Sequence, residues 1–297
     1  MDKPATLNAG IYVIRLKKDT INLKYLYHYL KAPFLLDFAE KTSTGGTIKH
    51  LNQNVLGEFS VPYPDIYEQS KIALFLDKID ARIEVQNKII EDLKVLKKSM
   101  SQFIFGDQSV IRKKWRLIKL SKILMERKTY DVKESSYPHA TLSKEGIYPK
   151  TERYNRDFLV KDEEKNYKVT HINDICYNPA NLKFGVICLN NFGDAIFSPI
   201  YVTYEIKQEN DPYFVSLYVT NPTFIGHIRK YEQGTVYERM AVSSEDFLKG
   251  QVYLPNYQTQ LYISKIFKSI EDKIRLENDI LGKYKEQKKF LLSNMFI

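Results

Sequence analysis

A long heptad pattern occurs twice in this chain. The first copy runs from about Ile66 to Phe105, with seam residues at alternating spacings of four and three. These seam residues are Ile72, Leu76, Ile79, Ile83, Gln86, Ile90, Leu93, Lys97, Met100 and Ile104. A shift of 191 positions gives the second set, Ile263, Phe267, Ile270, Ile274, Glu277, Leu281, Tyr284, Lys288, Leu291 and Met295. A period sustained over this length predicts coiled-coil helices, and two matching copies predict that the helices pack on each other.

The repeat extends beyond the helices. Each copy begins with a proline followed five residues later by a glutamine, Pro64 with Gln69 and Pro255 with Gln260. Further matches are residues 11–13 with 200–202, Pro33 with Pro222, and the Gly-Thr pair at 46–47 with the pair at 234–235. Residues from about 7 to 105 thus recur as about 196 to 296, whereas residues 113–195 have no counterpart. Two unrelated amphipathic helices are the alternative, but chance rarely reproduces both polar interruptions of the seam.

The pattern along the chain predicts an α+β fold with two long helices in an antiparallel coiled coil. Residues 23–40 have helical periodicity, with Asn22 as N-cap and a break at Pro33. Residues 59–61 alternate like a strand, residues 131–150 are polar and typical of a loop, and several short strands are expected between 158 and 206. A short capped helix is expected at 243–249.

Charge indicates an anionic partner. The formal net charge is +9, with 43% hydrophobic and 27% charged residues, so the composition is that of a globular protein. Nucleic acid is the first candidate partner, and a merely basic protein is the alternative. No run of 18 apolar residues and no apolar leader occur, so we expect no membrane association and a cytoplasmic location. Cys176 and Cys188 are expected to be free thiols.

The duplicated proline–glutamine entry into a heptad helix, with a Gly-Thr loop upstream of each copy, resembles the specificity subunit of Type I DNA restriction–modification systems. The opening at residues 115–120 and the run from Asp174 through Tyr201 also fit that family. The resemblance implies target-recognition domains that alternate with conserved spacer helices. It further implies duplex DNA, methyltransferase subunits and a restriction/translocase subunit as partners.

The resemblance divides the chain into four parts. These are a partial first recognition domain at 1–64, a first spacer helix at 65–106, a complete second recognition domain at 107–255 and a second spacer helix at 256–297. Because the first domain lacks a counterpart of residues 113–195, we expect an N-terminal truncation and self-association through the incomplete domain. The alternative function is a truncated or silent cassette that acts only as a protein-interaction scaffold or reads one half-site.

Three kinds of segment supply side chains suited to DNA, because long cations bind phosphates and Arg, Lys, Asn or Gln bind base edges. The Gly-Thr loops are followed by Thr47, Lys49, His50 and Asn52 in the first copy and by Thr235, Tyr237 and Arg239 in the second. A predicted strand is followed by Asn178, Asn181 and Lys183. A basic loop carries Lys150, Arg153, Tyr154 and Arg156. For each segment the alternative is an ordinary turn with solvated charges.

Catalytic motifs are not evident. The run at 178–181, Asn-Pro-Ala-Asn, lacks the second proline and the aromatic residue of the amino-methyltransferase motif, and no Gly-x-Gly turn precedes it. No phosphate-binding loop occurs, and the five histidines have no metal-ligand spacing. We therefore expect a protein that is not an enzyme and needs no cofactor or metal.

Overall fold

The computed structural model describes residues 13–16, 20–42, 56–132, 136–150, 166–234 and 240–296. The helices are α1 (Leu23–Lys31), α2 (Pro33–Thr42), α3 (Ile66–Phe105), α4 (Pro212–Val219), α5 (Pro222–Ile228), α6 (Ser244–Leu248) and α7 (Tyr257–Asn294). The strands are β1 (Arg116–Lys119), β2 (Leu124–Glu126), β3 (Tyr130–Asp131), β4 (Ala140–Leu142), β5 (Ile147–Pro149), β6 (Tyr167–Thr170), β7 (Ile175–Tyr177), β8 (Ile187–Leu189), β9 (Ala195–Phe197), β10 (Val202–Ile206) and β11 (Gln251–Leu254).

The chain forms two compact units. Unit 1 consists of Met1–Leu93 and Lys273–Ile297, and unit 2 consists of Lys94–Asp272. Both long helices contribute to both units. With 40 and 38 residues, α3 and α7 are about 60 and 57 Å long at 1.5 Å per residue.

The two long helices pack antiparallel through the predicted seam. Every seam residue of both copies is buried or half-buried. In unit 1, the Gln86 Nε2 donates to the Glu277 carbonyl oxygen at 3.1 Å, and Lys288 pairs with Asp80. In unit 2, Lys97 Nζ donates to Glu271 Oε1 at 2.5 Å. In unit 1, a later position on α3 meets an earlier position on α7, so the helices run in opposite directions, and the predicted packing is confirmed.

Unit 1 joins α1 and α2 to parts of α3 and α7. Asn22 caps α1, since its side chain accepts from the N–H groups of Lys24 and Tyr25, and α1 ends before Pro33, where α2 begins. The predicted cap and break are both confirmed. The core contains buried aromatic and aliphatic side chains from these helices, Tyr25, Tyr29, Ala32, Ala73, Leu76, Leu292 and Phe296.

Unit 2 contains the strands, and all strand pairs are antiparallel. The sheet orders are β1-β11, β2-β10-β7-β8, β3-β6-β9 and β4-β5. Strands β6, β7 and β9 are buried on both faces. Strands β7 and β9 are continuous apolar runs, as strands buried on both faces usually are. Strand β6 alternates apolar and polar residues, yet its Lys168 and Thr170 are buried too. The largest core cluster packs α4, α5 and α6 against β7, β10 and the ends of both long helices within this unit.

Two local predictions were wrong. Residues 59–61 form no strand, although Phe59 and Val61 pack against the unit 1 core. The expected loop at 131–150 contains the hairpin β4–β5, in which Ala140 pairs with Pro149 and Leu142 with Ile147. The strand expected near residues 158–160 lies outside the described residues. The capped helix expected at 243–249 is α6, with Ser243 accepting from the Asp246 N–H.

Candidate nucleic-acid interface

The turn after β7 carries three of the predicted DNA-contacting residues. Asn178 is buried, and its Oδ1 accepts from the backbone N–H groups of Ala180 at 3.1 Å and Asn181 at 3.3 Å. This amide oxygen therefore fixes the shape of the turn. Asn181 is half-buried and Lys183 is exposed, so the turn presents one cation at its surface, with its Nζ 5.2 Å from the Phe184 ring centroid.

The same turn ends at Gly185, which has φ of 81° and therefore suits a residue without Cβ. The Lys144 side chain, from the tight β4–β5 turn, packs beside Gly185. Lys144 is exposed and was not among the predicted residues. Recognising the Ser-Lys-Glu-Gly turn at 143–146 would have been the only sequence signal for it. The fold thus brings Lys144 and Lys183 to neighbouring turns.

Gln233 and Ala241 flank the segment that holds the second predicted Gly-Thr loop. Gln233 and Ala241 exchange two backbone hydrogen bonds, each 2.9 Å long, and Gln233 Nε2 also donates to Asp246 Oδ2 at 3.0 Å. The Val242 N–H donates to the Pro179 carbonyl oxygen at 3.3 Å. The two ends of the segment 234–240 are therefore held together beside the turn that follows β7.

Most of the predicted contacts lie outside the described residues. Thr235, Tyr237 and Arg239 belong to the segment between Gln233 and Ala241. The others are Thr47, Lys49, His50, Asn52, Arg153, Tyr154 and Arg156. Lys150 is described; it follows β5, is half-buried, and its N–H donates to the His139 carbonyl oxygen at 2.9 Å.

An ion pair joins the half-buried Arg127 to the buried Asp174, which precedes β7. Arg127 binds the Asp174 carboxylate through Nε at 2.8 Å and through an Nη at 3.0 Å. Asp174 also accepts from the His171 N–H at 2.8 Å, which closes the β6–β7 turn. The paired Asp174 raises the pKa of Arg127, because hydrogen bonding favours the charged guanidinium. Removal of Arg127 would leave the buried Asp174 carboxylate without its charged partner, so the pair holds the β6–β7 turn in one geometry.

A second buried charge, Lys168, lies on β6. Lys168 is 1% exposed, and its Nζ lies 3.1 Å from Glu126 Oε1 and 4.8 Å from the Tyr130 ring centroid. Glu126 also accepts from the Ser244 hydroxyl at 2.7 Å, which ties β2 to α6. Burial alone would raise the pKa of Glu126, but the hydrogen bonds from Ser244 and Lys168 outweigh it and lower the pKa.

The reactive side chains near these turns are kept neutral. Burial raises the pKa of the Cys188 thiol to about 12, and it also raises the pKa of Cys176. Both cysteines are free and lie opposite each other on β7 and β8. A neutral thiol is a poor nucleophile. Within the described ranges, no group of three His, Cys, Asp or Glu residues could hold a metal ion. No described helix is both long and apolar enough to cross a membrane.

Comparisons with known proteins point to one family. The family model described as "Type I restriction modification DNA specificity domain" matches residues 1–95. The MjaIX specificity subunit of Methanocaldococcus jannaschii is 32% identical over 136 residues, which cover 41% of this chain and 31% of that protein. The putative MjaX specificity subunit of the same organism is 23% identical over 98% of this chain and 72% of that protein. The alignments with the first curated relatives thus span about a third of their length or less.

Solved structures share the fold. The HsdS subunit from Thermoanaerobacter tengcongensis has a TM-score of 0.54 and 14% identity, over 95% of this chain and 72% of that one. A structure titled for complex assembly and conformational transition of the type I R-M system has a TM-score of 0.60 and 12% identity, over 94% and 72%. The family model over residues 1–95 and the curated relatives show that the chain is similar to Type I restriction–modification DNA specificity subunits, and the solved structures show that it shares their fold.

Proposed function

We propose that this chain is the non-catalytic DNA-sequence reader of a Type I restriction–modification complex. The observation that carries the proposal is the repeated unit itself. Two sequence copies each supply a long helix, and the two helices pack antiparallel within the described residues. A helix pair of this length suits a spacer between two recognition surfaces on one duplex.

Under this proposal, recognition belongs to residues 1–64 and 107–255, and the spacer helices belong to residues 65–106 and 256–297. Base edges would be contacted by the segments that hold the predicted residues, above all the Gly-Thr segment after Gly234. Its ends are pinned by the Gln233–Ala241 hydrogen bonds. A loop with fixed ends loses less conformational freedom when it binds, which favours specific contacts.

Methyltransferase subunits, with a restriction/translocase subunit, are the proposed protein partners, and the cytoplasm is the proposed location. An exposed apolar patch on α3 in unit 2 supports docking of a protein partner. Val95, Leu96 and Phe103 are 61%, 47% and 65% exposed there. The equivalent positions on α7 are Glu286, Gln287 and Asn294, so the second copy does not share this patch, although α7 exposes Leu276 and Phe290 elsewhere. Exposed apolar patches of this kind mark interaction surfaces.

The test is DNA binding by a complex reconstituted from this chain and Type I methyltransferase subunits. Arg239→Ala should weaken binding to the target duplex by about 1–3 kcal/mol if its guanidinium contacts a base pair through two hydrogen bonds. Arg229→Ala is the matched control, because the Arg229 guanidinium is paired with Glu232 at 3.1 Å. It should leave affinity unchanged. A complex that discriminates no DNA sequence from another would refute the proposed function.

A further inference from the structure

A cation-rich stretch of unit 2 has no role in the proposed base contacts. Residues 112–128 contain eight Lys or Arg residues and one carboxylate, Glu126. This stretch lies in the part of the chain that the first repeat copy lacks. Only some of these cations line the same surface groove.

Four cations line one open groove of about 1030 Å³, and they are Lys114, Arg116, Lys122 and Lys207. The groove floor includes Trp115, which packs edge-on against Phe214 with ring centroids 5.8 Å apart. The start of α7 forms one wall. Aromatic packing beneath the cations makes this groove a built feature of the fold.

The strand β1 divides the cations between two faces. Successive side chains of a strand point to opposite sides, and Arg116 and Ile118 line the groove. Leu117 lines a different cavity on the other side of the strand. Lys119 is exposed but does not line the groove. Neighbouring cations in the sequence therefore serve as internal controls.

The groove has an excess of unpaired positive charge. Among the described residues, Lys114, Arg116 and Lys122 have no carboxylate partner. Glu205 and Glu209 are the two carboxylates in the lining, and Glu205 lies 3.4 Å from Arg127. The first turn of α7 carries no acidic residue, so the positive end of the helix dipole adds to the cations.

We propose that this groove binds the phosphate backbone of duplex DNA and so positions unit 2 on the duplex independently of base sequence. The inference rests on the proposed function and adds a second, sequence-independent contact surface to it. Lysines on long, flexible stems act as point charges toward phosphate oxygens. Phosphate contacts set register and orientation, whereas base edges carry the sequence information. With four cations and two carboxylates in its lining, the groove has the net positive charge that a backbone site requires.

The experiment measures how affinity for a random-sequence duplex depends on salt, using the full chain. The slope of log affinity against log salt is negative, and each lost phosphate contact makes it less steep by about 0.9. The triple variant Lys114→Gln, Arg116→Gln, Lys122→Gln should therefore make the slope less steep by about 2 to 3. It should also weaken binding on the order of a hundredfold near 0.1 M salt. Circular dichroism and thermal unfolding would verify that the variant folds.

The matched control removes three exposed cations that do not line the groove, in the variant Lys113→Gln, Lys119→Gln, Lys128→Gln. Its slope should stay near that of the unchanged chain. An equal fall in both variants would overturn the inference, since total charge rather than the groove would then set the affinity. An unchanged slope in the groove variant would overturn it too.

Three further outcomes separate the inference from the proposed function. If the unchanged chain shows salt-dependent duplex binding that the groove variant retains, the inference alone fails. If the groove variant retains DNA binding but loses a methyltransferase subunit, the groove binds an acidic protein surface and the inference is overturned. If the unchanged chain, alone and in the complex, binds no duplex at any salt concentration, the proposed function fails and the inference fails with it.

Discussion

Unit 1 and unit 2 hold their short helices against the long helices through the same ring contacts. The equivalent rings are Phe296, Tyr25 and Tyr29 in unit 1 and Phe105, Phe214 and Tyr218 in unit 2. The two centroid distances are 5.3 and 5.2 Å in unit 1 and 5.7 and 5.3 Å in unit 2. All four pairs are edge-on, the favoured arrangement for aromatic side chains. Each unit thus packs its short helices on a phenylalanine at or just beyond the end of a long helix.

A buried glutamine also recurs. Gln69 Oε1 accepts from the Asn22 N–H at 2.7 Å, and Gln260 Oε1 accepts from the Asp211 N–H at 2.9 Å. Each glutamine donates to the carbonyl oxygen of the proline that precedes its long helix, at 2.9 and 3.0 Å. The glutamine therefore joins the N-cap of a short helix to the start of a long helix in both units.

The charges on the same surface are not conserved. In unit 1, Asp77 on α3 pairs with Lys24 and lies 2.9 Å from the buried His28 Nε2. The equivalent residues in unit 2 are Lys268, Tyr213 and Leu217. There, Lys268 Nζ lies 4.9 Å from the Tyr213 ring centroid. Ring packing and bonds to the backbone have persisted, while partly exposed ion pairs, which contribute little each, have been replaced.

The ring contacts give the largest expected effect. Phe296→Ala and Phe105→Ala should each destabilise their own unit by about 3–5 kcal/mol, the usual loss for a buried phenylalanine. Hydrogen exchange followed by mass spectrometry measures this locally. We expect Phe296→Ala to lower protection in α1 and α2, and Phe105→Ala to lower it in α4 and α5.

The control for this comparison is Phe103→Ala, since Phe103 is 65% exposed on the same helix as Phe105. It should change protection by less than about 0.5 kcal/mol. Equal loss of protection in both pairs of short helices after either single change would show that the two units unfold together. The change in protection could then not be assigned to one unit.

The glutamines give an intermediate effect. Gln69→Leu and Gln260→Leu should each cost about 1–3 kcal/mol, because a buried N–H and a carbonyl oxygen lose their partners. Gln69 also donates to the Thr20 carbonyl oxygen at 3.1 Å, so the loss should be larger in unit 1. Urea unfolding of each variant, with exchange of the Asn22 and Asp211 amides, measures it. An equal loss in both units would show that the bond to Thr20 contributes nothing.

These contacts explain how far the sequence predicted the fold. The heptad spacing and the proline–glutamine entry predicted both long helices and their pairing, since the pattern is periodic and occurs twice. The hairpin β4–β5 was missed, because its strands have three residues each and contain a proline, Pro149. Strands this short depend on tertiary contacts rather than on local propensity.

The candidate interface was less predictable than the fold. Asn178 has the residue type of a base-contacting side chain, but its amide oxygen accepts backbone hydrogen bonds within its own turn. The sequence does not distinguish these roles, since Asn favours turns for the same hydrogen-bonding reason. Similarly, Arg116 lines the groove and Lys119 does not. A count of the charges in the sequence does not show this difference.

The ion pair gives the smallest effect and tests the charge difference directly. Asp77→Lys should destabilise α1 by about 1 kcal/mol, because it places a third basic group beside Lys24 and His28. Adding Lys24→Tyr and His28→Leu reproduces the set found in unit 2 and should restore protection of α1. Failure of the triple variant to recover would mean that the two units are not interchangeable at this surface.

Acid provides the corresponding test without substitution. Hydrogen bonds from Lys24 and then His28 lower the pKa of Asp77 below its ordinary 3.8. A lowered carboxyl pKa stabilises the folded state above the ordinary pKa, and that contribution is lost as pH falls through the lowered pKa. Exchange protection of α1, corrected for intrinsic rates, should therefore fall as the pH drops below the ordinary aspartate pKa of 3.8, and Asp77→Asn should abolish this dependence. The equivalent surface of unit 2 has no carboxylate at these three positions. A pH dependence of α1 that survives in Asp77→Asn would show that another carboxylate is responsible.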